Sequence, residues 1–160
     1  MDVFTAMGKW FWLLCIFVTF LNGAVFWIRA RKRIQQTPNL AAGYRAIIKG
    51  FVTWGNLPWV VMGAGCTIGG VPSVWHYFNP QGGNVYILAF FASVVLVWIL
   101  GTYWIFFRGG AKALVDHPGI FNFDFKSPVM IKLLWAATLV GGIAAFIMMF
   151  TQEIPVPAPY

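Results

Sequence analysis

Residues 10–33 read WFWLLCIFVTFLNGAVFWIRARKR, an apolar run closed by a basic cluster. A helix needs about 20 predominantly apolar residues to cross a hydrocarbon core near 30 Å thick. Residues 10–28 come close to that length without a charge, and Arg29, Arg31, Lys32 and Arg33 follow at once. Such a cluster marks the cytoplasmic end of a span and suits anionic lipid headgroups. The run is not expected to be a cleavable signal, because residues 1–8 lack a basic segment and arginines stand where a small-residue cleavage site belongs.

Three more runs of this kind lie at about 47–70, 85–107 and 128–150. The sequence therefore predicts an all-α integral membrane protein, a single membrane domain over 1–160 with four transmembrane helices and a Pro-rich tail at 151–160. Composition agrees. Of 160 residues, 60% are hydrophobic and only 9% charged, far from the roughly 25% charged of soluble domains. Four spans leave no room for a sizeable soluble domain. The net charge of +7 lies beside apolar spans, so topology and lipid explain it and no nucleic-acid partner is expected. Cys15 and Cys66 fall inside spans, where they act as small hydrophobes.

The distribution of positive charge sets the expected orientation. Arg29, Arg31, Lys32, Arg33, Arg45 and Lys49 flank the first connection, and Arg108, Lys112, Lys126 and Lys132 the second. Of the eleven basic residues only Lys9 falls elsewhere. Both termini are thus placed on the outer, periplasmic or lumenal, side of a multi-pass protein, expected in a bacterial inner or other energy-transducing membrane. Trp10, Trp12, Trp75, Tyr77 and Tyr86 sit near the outer boundary, and Trp27, Tyr44, Tyr103 and Trp104 near the inner one. Thr37 and Pro38 read as an N-cap and first helical residue leading into the second helix. Alternate prolines in 154–159 favour an extended polyproline tail that either dangles or lies along a partner.

Catalytic machinery is sparse. The four acidic residues, Asp2, Asp116, Asp124 and Glu153, all fall outside the expected spans, whereas ion-coupled pumps and transporters keep titratable groups inside the membrane. His76 and His117 are predicted on opposite sides, so they cannot share a metal or haem. His76, within an interfacial aromatic segment, is the first candidate ligand for a pigment or quinone at a subunit boundary, with His117 the other; no metal site is expected. Asp116 and His117 precede Pro118 and Gly119, which is ordinary turn chemistry. Phe121, Phe123 and Phe125 share one side if that segment is extended.

The second helix departs most from a plain lipid-facing one. Pro58 removes a donor and predicts a kink, with Thr53 and Asn56 placed to satisfy freed polar groups beside a possible conduction path. Gly65 and Gly69 there, and Ala137, Gly141 and Ala145 in the fourth span, form small-residue steps that permit close helix approach. The third helix is bulky and is expected to face lipid or a partner.

These features predict a non-catalytic membrane subunit that stabilises or assembles a larger complex of respiratory or photosynthetic type. Its partners are expected to be other integral membrane subunits and anionic lipids, with no resident cofactor. A small homo-oligomeric channel or transporter along the kinked second helix is the first alternative. A cofactor- or pigment-binding subunit is the second.

Overall fold

The computed structural model describes residues 3–121 and 124–153, with side chains from residue 7 onward. The prolines of the tail and Phe123 therefore lie outside the described residues. Among the described residues are five α-helices: α1 (Val3–Gln36), α2 (Ala41–Thr67), α3 (Val85–Phe107), a short α4 (Gly110–Asp116) and α5 (Pro128–Thr151). Single 3₁₀ turns at Pro38–Leu40, Val74–Phe78 and Pro80–Gly82 fill the connections, and no strand occurs among the described residues.

Three helices are long and apolar enough to cross a membrane: α1 from Met7, α3 and α5. In α1 the helix runs well past the apolar segment, since 34 residues at about 1.5 Å each give about 51 Å. Its basic end projects beyond a hydrocarbon core. α2, at 27 residues, has the length but not the apolarity, because Asn56, Pro58 and the threonines, tryptophans and glycines around them dilute even its uncharged part.

Local chemistry explains the ends. Asn84 caps α3 by accepting from the Tyr86 backbone N–H at 2.9 Å, and Ser127 caps α5 by accepting from Val129 at 3.2 Å. Pro128 occupies the first turn of α5, where no intrahelical donor is lost. At Thr37 the expectation needs correction. That residue precedes a 3₁₀ turn, its side chain makes no cap bond, and α2 proper starts at Ala41. α2 then continues without a break through buried Pro58. It ends where Gly70, at φ +68°, takes a left-handed conformation that glycine adopts without steric penalty.

α2 lies between α1 and α3, while α3 lies between α2 and α5; α2 and α5 share no extended contact. The expected packing needs correction at the fourth span. α2 packs closely, and α3, expected to face lipid or a partner, keeps many large apolar side chains exposed while burying Ile87, Phe91, Ser93 and Ile105; α5, expected to pack closely, buries only Ile131. The reason is that glycines here seat aromatic rings. A Cβ added at Gly63 would fall 2.6 Å from the Trp12 ring, at Gly101 2.6 Å from Trp135, and at Gly142 2.5 Å from Trp98. Gly65 and Gly69 likewise lie under Tyr77 and Tyr86. Ring-into-notch packing lets the bulky helix be the central one, since dispersion rewards a filled notch.

Buried clusters close the bundle at its ends, and a third, of Ile105, Ala111 and Ile131, joins α3, α4 and α5. Near the 71–84 loop, Met62, Cys66, Val71, Tyr77, Ile87 and Phe91 form a core. At the other end Ala30, Tyr44 and Ile120 form a second core that joins α1 and α2 to the loop after α4.

Candidate functional site

The polar residue at the heart of the α1/α2 seam is Asn56, only 7% exposed. α2 carries it inward because the turns around it are small: Gly23 lies against Val52, and Gly55 lies beside Thr19. Asn56 Nδ2 donates to the Val52 carbonyl at 2.8 Å. It thus serves the carbonyl four residues back, not that of Trp54, which Pro58 leaves without its usual donor. Its Oδ1 is buried without a partner, and so is the Nε1–H of Trp12. Thr19, also buried, donates to the Cys15 carbonyl at 2.9 Å. Thr53 sits on the exposed side of α2.

A buried acceptor left unpaired costs about 1–3 kcal/mol, so the seam holds one orphan acceptor and one orphan donor that a water or small neutral polar group can satisfy. It carries no carboxylate, imidazole or amine. Hydrogen bonding to a neutral solute is within its chemistry; acid–base exchange is not.

The remaining sequence candidates fall in different places. His76 is half-buried in the 3₁₀ turn Val74–Phe78, its Nδ1 3.2 Å from Ser73 Oγ. His117 is at the opposite end, with Nδ1 2.7 Å from the Ala113 carbonyl. Among the described residues no group of three or more His, Cys, Asp or Glu side chains gathers to hold a metal. Of the basic cluster, Arg31, Lys32 and Arg33 are exposed, but Arg29 is half-buried and donates to the Ile120 carbonyl at 3.3 Å. Ala137 and Gly141 lie on the open side of α5, and an added Cβ at Gly141 meets nothing within 4 Å. Ala145 is half-buried.

Two sites went unsignalled. Fully buried Tyr44 donates from its hydroxyl to the Pro118 carbonyl at 2.6 Å and meets the His117 ring edge-on, with 4.8 Å between centroids. Gly43 alongside it leaves room for that imidazole. Burial raises the Tyr44 phenol above its ordinary value, only partly opposed by Arg33, so it remains a donor. The turn itself depends on Gly119 at φ +82°, whose N–H is accepted by Asp124 Oδ1 at 2.7 Å. This latch fastens the second basic loop to the first. Tyr77 does the same at the other end, donating to the Met62 carbonyl at 3.0 Å. Burial, reinforced by the neighbouring Cys66, holds its phenol well above the usual tyrosine range. The one signal in the sequence was glycine next to, or facing, an aromatic residue; Gly43-Tyr44 is such a pair.

No family model, curated protein or solved structure matches the chain.

Proposed function

We propose that the chain is a non-catalytic integral membrane subunit that stabilises or assembles a larger membrane complex of respiratory or photosynthetic type. The reading takes α1, α2, α3 and α5 as four spans with both termini outside, in a bacterial inner or similar energy-transducing membrane. Support for α2 as the fourth comes from Asn56, which faces the α1 seam and not lipid, so low apolarity does not put this polar group in hydrocarbon. Support for orientation comes from the gathering of ten of the eleven basic residues at the end where α1 finishes and α2 begins.

The observation that carries the proposal is the open side of α5. Leu133 and Val140 are 66% and 69% exposed, and with Ala137 and Gly141 they form a shallow face with no partner among the described residues. Association in lipid is driven by close packing at small residues, since there is no hydrophobic drive between helices. A neighbouring span is the natural occupant. On a mild-detergent native gel the protein is expected to migrate with a larger assembly. Gly141→Leu, at a position where an added Cβ meets none of the described residues within 4 Å, should deplete that form tenfold or more without lowering thermal stability. Migration of the wild type as a lone monomer would count against the reading.

One observation favours the second reading, a small homo-oligomeric channel or transporter. It is the unpaired Asn56 Oδ1 in the α1/α2 seam. Leucine removes the orphan Oδ1 and gives up the side-chain bond to the Val52 carbonyl, a loss of about 0.5–1.5 kcal/mol set against the relief of an unpaired acceptor. Asn56→Leu should therefore leave folding intact, and if the seam conducts a neutral solute, proteoliposome flux should fall at least tenfold. No flux by the wild type for any solute tested would sink the channel reading.

A further inference from the structure

We propose that the groove between α3 and α5 binds one anionic phospholipid, its acyl chain in the groove and its headgroup at Lys132. This goes beyond the subunit reading and needs only that the helices lie in a membrane. The groove encloses about 610 Å³ and is lined by Ile99, Tyr103 and Phe107 of α3 and Leu139, Ile143 and Ile147 of α5.

Its length selects the occupant. At one end it begins at Phe107; at the other it reaches Val95, twelve residues away or about 18 Å along the helix. There the Trp98 and Phe146 rings, 4.8 Å apart, narrow the cleft. That depth is close to one leaflet of a core about 30 Å thick. An acyl chain reaching from the headgroup level to the bilayer midplane matches that depth.

Charge selects the headgroup. Lys132 shares a helical stripe with Leu139 and Ile143, and Phe106 shares one with Ile99 and Thr102, so both residues stand at the mouth of the groove. The Lys132 ammonium lies 5.5 Å over the Phe106 ring, and Lys132 has no carboxylate partner among the described residues. Exposed Arg108 follows the end of α3, and exposed Lys126 stands just before the cap of α5. An anionic phosphate at that mouth meets a cation held ready by an aromatic face, as expected for basic residues at a lipid surface.

Native mass spectrometry of the full chain in mild detergent tests this with chain-matched phosphatidylglycerol and phosphatidylcholine. One phosphatidylglycerol should be retained per chain in preference to phosphatidylcholine. Lys132→Gln should weaken its retention about fivefold, the contribution of one basic residue near a lipid surface. Ile143→Trp should exclude both lipids by filling the groove, and Ile99→Trp gives a second filling variant should the first fail to fold. Neutralising Arg29, Arg31, Lys32 and Arg33 together should leave the preference intact. Equal retention of the two lipids, loss only with the four-residue neutralisation, or unchanged retention in a folded groove-filling variant would overturn the proposal.

Discussion

A Tyr44→Ala protein is expected to lose about 3–5 kcal/mol of stability, the range for removing a large buried aromatic, and to release the loop after α4 from the rest of the bundle. Tyr44 is completely buried against Ala30 and Ile120, and its hydroxyl is bound by the Pro118 carbonyl. Truncation opens a cavity in the core that ties the first basic connection to the second. The His117 ring also loses its edge-on partner. Tyr44→Phe separates the two contributions, because it keeps the packing and deletes one hydrogen bond, with an expected loss of about 1–2 kcal/mol. Thermal unfolding in mild detergent reads the totals. Limited proteolysis between residues 117 and 127 reads the latch: rapid cleavage is expected for the alanine variant and slow cleavage for phenylalanine. Equal protection in wild type and Tyr44→Ala would mean that the loop is held by something else.

Gly65→Ala is expected to cost about 1–3 kcal/mol, as overpacking does in a filled core, and the loss should depend on one hydroxyl. An added Cβ there runs into the Tyr77 hydroxyl and comes within 3.1 Å of Tyr86 Cβ. Tyr77 cannot simply swing away, being 3% exposed and bonded to the Met62 carbonyl. In a Tyr77→Phe background the hydroxyl is gone, so the same Gly65→Ala change should cost markedly less. A coupling of at least about 0.5 kcal/mol between the two sites is the expected signature of contact. Strict additivity in thermal midpoints would show that Gly65 does not seat this ring.

Both predictions concern features that were hard to read from the residues alone. α3 has the bounds of the expected third helix and α5 runs one residue past the fourth, because long apolar runs bounded by Asn84, Arg108 and Pro128 leave little freedom. α1 was underestimated at its basic end because charge marks where a span leaves the membrane, not where a helix stops. Helix-to-helix packing was the least legible. Gly65 and Gly69 carry the pattern of close helix approach, yet whether a notch receives a backbone or a ring depends on residues far away in sequence, here Tyr77 and Tyr86. Asn56 was found because a polar residue in an apolar run is conspicuous. Tyr44 was not, since an aromatic at a helix end is common at an interface and its partner Pro118 lies 74 residues away.

The same logic assigns meaning to Gly141, which seats nothing in the middle of a long apolar helix. Gly63, Gly101 and Gly142 each lie under a tryptophan, whereas Gly141 faces open space on α5. In a chain of 17.9 kDa with so little material outside its helices, that vacancy is the clearest invitation to a second membrane protein. A photo-crosslinker at Val140, beside Gly141, irradiated in native membranes tests the subunit proposal most directly. A discrete covalent adduct with a different integral membrane protein is the predicted result. Adducts with lipid alone, or with a second copy of this chain, would contradict it.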